Sequence, residues 1–412
     1  MHWFAVLVLG LIAARALAEF ILDHLNTRHV RAHAGAVPAA LRDVVDDATY
    51  TRSVEYTLAR SRLGRFSLGY DTFWLLLVLF SGVLPWAWAA WTGWAGGSVW
   101  AQAGFLFLVG VALSVPDLPV EWWSQFRLEQ RFSFNTTTPG TWWLDRVKGL
   151  LLAAVLGLPL LALVLKLVEW MGAWWWLWAW AALMAFQLVM LVLAPVIILP
   201  LFNKFTPLPA GPLRERLLAL AAATKFPAAD IQVMDGSKRS RHSNAFFTGL
   251  GRFRKIVLFD TLVAQLGEAE LEAVLAHEIG HYRRGHIPQR LAVSALLSLA
   301  GFAGVGWLAT QPWFFAAFGL PAGEVALALL LFGLLSGAAS FWLTPLSNAW
   351  SRRHEFEADA FAKAAVNTAE PLVGALRRLH EKNLANLTPH PAYSAFHYSH
   401  PTLVEREAAL RA

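Results

Sequence analysis

The chain contains no cysteine. That excludes disulfides, CxxC redox centres, cysteine-ligated zinc and a cysteine nucleophile, so any metal must be held by His, Asp or Glu. Charge is also scarce. Asp, Glu, Lys and Arg make up 15% of the 412 residues, against about a quarter in an ordinary soluble domain. In their place hydrophobic residues reach 57%, and the mean hydropathy is +0.47. Disordered, fibrous and ordinary soluble proteins are thereby disfavoured, and a mainly α, multi-pass membrane protein is expected. The net charge of +6 is one that a nucleic-acid binder could carry. The positions of the basic residues favour a lipid bilayer as the partner, and no nucleic acid is expected.

Seven apolar stretches are long enough to cross a bilayer, roughly 3–22, 72–92, 98–116, 149–168, 174–201, 291–318 and 324–345. The first lacks the basic flank and small-residue cleavage site of a removed signal peptide, and reads as a span. The segments 23–71, 117–148, 202–290 and 346–412 hold 7, 4, 13 and 8 basic residues, which is 32 of the 34. Loops near 93–97, 169–173 and 319–323 hold none. The positive-inside rule places the basic segments in the cytoplasm and the N-terminus outside. Of the 21 Trp, many lie near the predicted outer ends, among them Trp86, Trp94, Trp170 and Trp313, as in an interfacial aromatic belt. The basic residues are 26 Arg and 8 Lys, a bias seen in GC-rich bacterial genomes. The membrane would then be a bacterial inner membrane, or the endoplasmic reticulum in a eukaryote.

Four regions follow: 1–201 with five spans, 202–290 as a polar insert, 291–345 with two spans, and 346–412 as a C-terminal segment. In the insert a helix is expected near Leu213–Thr224. A β meander follows at Ile231–Met234, Ala245–Thr248 and Lys255–Phe259, with turns at Gly236, Gly249 and Gly251. A helix from Glu268 to Arg284 closes the insert and carries His277-Glu278-Ile-Gly-His281. In this HExxH pattern, residues four apart share a helix face, so the two imidazoles can reach one ion. Glu278 then lies beside the metal and can take a proton from a bound water.

A third ligand is needed, and three residues compete for the place. His286 is the nearest, but it is out of register with the HExxHxxGxxH spacing, which wants His at 287 where Ile287 stands. Asp235 precedes Gly236 between β runs and reads as a turn residue. Glu355 follows the last span on a charged helix, and a downstream helix carboxylate completes a His₂Glu zinc site. Asp359 lies one turn later and could hold a zinc-bound imidazole from behind. Glu357 would point elsewhere on that helix.

Beyond this motif the chain resembles the integral-membrane CAAX prenyl proteases, zinc metalloendopeptidases with seven membrane helices. The matching strings are Leu201-Phe-Asn-Lys-Phe-Thr-Pro-Leu-Pro, Asp235-Gly-Ser-Lys-Arg-Ser, His242-Ser-Asn-Ala-Phe-Phe-Thr-Gly, Ser351-Arg-Arg-His-Glu-Phe-Glu-Ala-Asp and Tyr398-Ser-His-Pro. Glu129-Gln-Arg-Phe-Ser-Phe-Asn135 also matches, with Ser133 where the family usually has Gly. The resemblance implies one Zn²⁺ held by His277, His281 and Glu355, with Glu278 as general base. It implies spans that enclose a water-filled chamber, and a zincin-like α/β domain facing the cytoplasm. It further implies substrate binding along Asn244, Ala245 and Phe246, where an edge strand could pair with an extended peptide. His400, and with less support Arg406, would steady the oxyanion.

The expected reaction is peptide-bond hydrolysis, with a peptide or protein as substrate. The resemblance points to removal of the C-terminal tripeptide from prenylated proteins. A membrane quality-control protease without prenyl specificity remains an alternative. So do a site-2-type intramembrane protease, for which no later Asp-Gly motif is present, and a non-catalytic zinc-binding scaffold.

Overall fold

A computed structural model describes residues 2–248 and 254–412. Gly249 and Gly251, expected at a turn, lie outside the described residues. Among the described residues, six stretches are long and apolar enough to cross a membrane: Trp3–Ala32, Asp47–Phe80, Val99–Glu129, Pro139–Phe202, His286–Leu308 and Val325–Val366. Their outward faces carry large apolar side chains such as Leu151, Val155, Leu188, Val196 and Leu296, each at least half exposed. So continuous an apolar surface is stable against lipid and unstable in water. The fourth stretch is not one rod. Its two long helices, Pro139–Met171 and Trp175–Leu193, meet at Gly172, whose φ of 53° suits glycine, and they pack against each other.

The expected span at 72–92 is divided. Helix Asp47–Phe80 starts well before its apolar end, and a second helix, Val83–Ala95, begins after Gly82 with φ 82°. Only the C-terminal part of the 34-residue helix is strongly apolar, so hydropathy marks the membrane-embedded half and misses the polar half.

The insert folds as a four-stranded mixed sheet: β1 Phe205–Pro207, β2 Ala228–Met234, β3 Ala245–Thr248 and β4 Arg254–Phe259. The order is β1-β2-β4-β3, with β2 and β4 parallel and both outer strands antiparallel to their neighbours. This is not the meander expected from the sequence. β2 pairs with β4 and not with β3, because the ten residues between β2 and β3 carry the chain past the β4 position to the outer edge. The helix Pro212–Ala223 and the HExxH helix, Glu268–Arg283, pack on the sheet side. Leu271, Leu275 and Ile279, four apart on one helix face, bury against Ile231, Ile256 and Leu258 in one core. A second core, including Val8, Leu79, Leu165, Phe315 and Leu331, holds the apolar helices together.

Candidate metal centre

The HExxH helix has clear sequence reasons to begin and end where it does. Glu270 accepts a hydrogen bond from the Gly267 N–H at 2.8 Å, and Glu268 and Glu270 place negative charge in the first turn. Gly285 then takes φ 72°, and a new helix starts at His286. The third-ligand residue sits on helix Thr344–Val366, which continues from Val325–Ser340 through a short 3₁₀ turn at Phe341–Leu343. The two helices pack tightly because Gly280 lacks a side chain. A Cβ there would stand 3.0 Å from the Ala358 backbone.

That contact brings His277, His281 and Glu355 together. One donor atom from each lies within 4.8 Å of the others. His277 Nε2 and His281 Nε2 are 3.2 Å apart, and each is 3.4 Å from a Glu355 carboxylate oxygen. Glu355 is almost fully buried, and its Oε2 has no hydrogen-bond partner. A buried carboxylate oxygen left unbonded is costly unless a cation completes it. Two imidazoles converging on such a carboxylate, one at each oxygen, fit a divalent metal. Among the described residues the cluster holds three ligands, which leaves a coordination position open, as catalytic sites require.

Each imidazole of the cluster is gripped from behind. Asp359 Oδ1 lies 2.8 Å from His277 Nδ1, and Arg406 holds both Asp359 oxygens, Nε at 2.8 Å and Nη2 at 2.5 Å. Burial alone would lower the His277 pKa. The hydrogen bonds that Asp359 and Glu355 accept from the ring outweigh it and raise the pKa to about 9. His281 Nδ1 lies 2.9 Å from His286 Nδ1, and His286 Nε2 lies 3.1 Å from Glu357 Oε2. With His281 Nε2 on a metal, its Nδ1 must carry the proton, so His286 Nδ1 accepts it and His286 Nε2–H donates to Glu357. His286 therefore stands behind His281. Neither His286 nor Glu357 was assigned this part from the sequence, because their pairing depends on two helices separated by a membrane hairpin.

The remaining residues divide in two groups. Burial pushes the Glu278 carboxyl above the usual range, with Glu355 adding to the shift and both imidazoles opposing it. His400 Nε2 lies 3.5 Å from Glu355 Oε1, and its Nδ1 is 3.0 Å from Ser399 Oγ. Arg406 is buried and fully engaged with Asp359, with Nη1 3.7 Å from Glu355. Asn244, Ala245 and Phe246 lie on or beside β3, the outermost strand, which packs next to the HExxH helix and, among the described residues, pairs on one edge alone. Asp235 immediately precedes the short 3₁₀ turn Gly236–Lys238, and its Oδ1 accepts from the distant Lys204 N–H at 2.7 Å.

Helices of membrane length, an HExxH helix and a convergent His₂Glu cluster define a membrane-embedded metalloprotease. Comparison with known proteins agrees. Residues 26–204 match the family described as CAAX prenyl protease N-terminal, five membrane helices, and residues 207–412 match peptidase family M48. The chain belongs to this family of CAAX prenyl protease-type metallopeptidases. It is 36% identical over 390 residues to the CAAX prenyl protease 1 homolog of Oryza sativa subsp. japonica, covering 91% of this chain and 90% of that one. It is 35% identical over 434 residues to CAAX prenyl protease 1 of Saccharomyces cerevisiae, covering 97% and 94%. The crystal structure of S. mikatae Ste24p superposes with a TM-score of 0.88 at 34% identity, covering 97% of this chain and 98% of that one.

Proposed function

We propose that the chain is a zinc endopeptidase that removes the C-terminal tripeptide from prenylated proteins at the cytoplasmic face of its membrane. The observation that carries this reading is the buried Glu355 carboxylate, whose unbonded Oε2 faces His277 Nε2 and whose Oε1 faces His281 Nε2 of the HExxH helix. His277, His281 and Glu355 hold the ion, and a His₂Glu donor set on HExxH favours zinc. When bound, zinc supplies a Lewis acid for the scissile carbonyl and acidifies water.

This chain's own residues do the rest. Glu278, its pKa raised by burial, accepts the proton of the attacking water and delivers it to the leaving nitrogen. When the Ser399 hydroxyl donates to His400 Nδ1, the His400 proton sits on Nε2, which can then donate to the developing oxyanion. Arg406 and Asp359 fix the tautomer of His277, as Glu357 and His286 fix that of His281. The outer edge of β3, beginning at Asn244–Phe246, receives the substrate as an added strand.

In this reading Pro139–Phe202 makes two passes, so that the chain has seven spans around a chamber. The zincin-like segment 202–290 and the segment 346–412 together form the cytoplasmic catalytic unit. The related proteases are named for CAAX prenyl substrates, and that supports the assignment of substrate class.

Cleavage of a farnesylated CAAX peptide beside its unprenylated twin tests the proposal. Preference for the farnesylated peptide is expected. Equal cleavage of both would move the enzyme to quality control, and cleavage of neither would overturn the hydrolase assignment.

A further inference from the structure

Helix Asp47–Phe80 presents two different faces. Thr57, Arg60 and Gly64 line the cavity that reaches His400 beside the metal centre. At about 100° per residue, Ala59, Arg62, Phe66 and Tyr70 lie on the opposite side of the same helix. There they form one wall of a separate groove of about 610 Å³. Trp123, Arg127 and Arg131 form the other wall, at and just beyond the end of the membrane-length stretch Val99–Glu129. The groove is held in shape. Leu128 and Phe132 at its base are buried in a small core with Tyr56, and the Tyr70 hydroxyl donates to the Pro116 carbonyl at 3.1 Å. Its lining is mainly apolar, and Phe66 and Trp123 stay more than half exposed. Arg127 sits in the π-helical turn Ser124–Glu129, a rare winding that recurs at functional sites. The three arginines are exposed and poorly matched. Arg131 meets Glu55 only at 4.0 Å, with both side chains more than half exposed, and Glu121 is taken by Arg146. Among the described residues Arg62 and Arg127 have no carboxylate within 4.0 Å.

We propose that this groove binds an anionic phospholipid, its phosphate between Arg62, Arg127 and Arg131 and the first part of one acyl chain over Phe66 and Trp123. The site stands apart from the hydrolase reading, because it needs only that these helices cross a membrane. Both walls change from basic to apolar in the same direction. On one, Arg62 is followed a turn later by Phe66, then by Tyr70 and Phe73. On the other, Arg131 and Arg127 give way to Trp123 and Val120. The contact of Tyr70 with Pro116 joins the two apolar ends. Cations at one level and aromatic rings at the next match the order of phosphate and acyl chain in a lipid. Guanidinium is weakly hydrated and meets a phosphate through paired hydrogen bonds, so it suits a half-buried rim better than an ammonium would. The attraction of basic residues to anionic lipid accumulates from one to the next, whereas the choline of a zwitterionic lipid would face the same three cations.

The test titrates the full-length protein in detergent with dioleoyl phosphatidylglycerol and, separately, with dioleoyl phosphatidylcholine, which has the same chains on a neutral headgroup. Bound lipid is counted by native mass spectrometry. Wild type is expected to hold phosphatidylglycerol at least about tenfold more tightly. Arg62→Gln combined with Arg127→Gln should bring the ratio close to one, with each single change in between. Trp123→Ala should weaken both lipids and leave their ratio in place. The ratio is taken within each protein, so a loss of folded material cancels. Glycerol phosphate, which lacks the chains, should not displace bound phosphatidylglycerol at equal concentration. Equal binding of the two lipids by wild type would make the groove ordinary lipid-facing surface and overturn the site, as would a preference that survives in the double variant. Displacement by glycerol phosphate would overturn a lipid as the occupant. Cleavage is not read, so failure of the hydrolase reading leaves these outcomes unchanged.

Discussion

His277 is the residue on which the charge balance of the site turns. Without metal its imidazole is raised to about 9 by Asp359 and Glu355, so near pH 7 it is protonated on both nitrogens. A metal can bind only the neutral ring, and must displace that proton. Because the pKa is raised, the competing form gains ground as pH falls below 9. Zinc affinity should then drop by about tenfold per pH unit between pH 9 and 6. Chelator competition across that range reads it out, and a flat profile between pH 7 and 9 would contradict it. Behind the second ligand, His286→Ala should leave the fold in place and weaken zinc binding by about 10- to 100-fold, the usual effect of removing a buttress. At this scale the sequence was most legible where spacing alone sets the geometry, since His277 and His281, four apart, do share one helix face. Glu355 could be chosen only with the motif in view. His286 was weighed as a ligand, whereas it stands one bond further out, because its register on the next helix aims Nδ1 at His281.

The helix pair Glu268–Arg283 and Thr344–Val366 is the element that makes the site. Gly280 sits inside the HExxH motif at its closest point, and a methyl there would meet the Ala358 backbone, which cannot swing away. Gly280→Ala should cost about 1–3 kcal/mol through overpacking. It should also lower zinc occupancy by moving Glu355 away from His277, whereas an ordinary exposed glycine in a helix would gain stability from alanine. Metal analysis together with thermal unfolding checks this. If zinc content were full and the unfolding temperature unchanged, the packing argument would be wrong. The boundaries of the HExxH helix could be read from Gly267, Glu270 and the apolar spacing. The parallel pairing of β2 with β4 could not, because short β-branched runs look alike whichever neighbour they take.

Across the whole molecule, the apolar helices and the sheet segment have separate cores, joined by polar clamps. Arg239, beside the sheet, holds Asp145 on helix Pro139–Met171 through two bonds of 2.7 and 2.9 Å, and reaches Asn203 Oδ1 and the Phe202 carbonyl. His242 Nε2 lies 3.3 Å from Glu129, and its Nδ1 is 3.0 Å from Asn383. Burial lowers the His242 pKa, but the hydrogen bonds to Glu129 and Asn383 outweigh it and raise the pKa above the ordinary imidazole value. Arg239→Ala leaves Asp145 half-buried without its partner. It should lower the unfolding temperature in detergent by several degrees while zinc stays bound. Loss of zinc without loss of stability would mean that Arg239 acts on the site and not on the junction. Composition and charge placement made the membrane class legible. These clamps were not, because their partners lie far apart in the chain and each is an ordinary polar residue by itself.

The central claim is that one zinc, held by His277, His281 and Glu355, hydrolyses peptide with Glu278 as base. Zinc content and turnover measured together on wild type, Glu278→Gln and Glu355→Ala test it most directly. The account predicts one zinc per chain in wild type and Glu278→Gln, and depleted zinc in Glu355→Ala. It predicts turnover in wild type alone, with Glu278→Gln reduced by about a thousandfold or more. Near wild-type cleavage by zinc-loaded Glu278→Gln, or full zinc in Glu355→Ala, would contradict it.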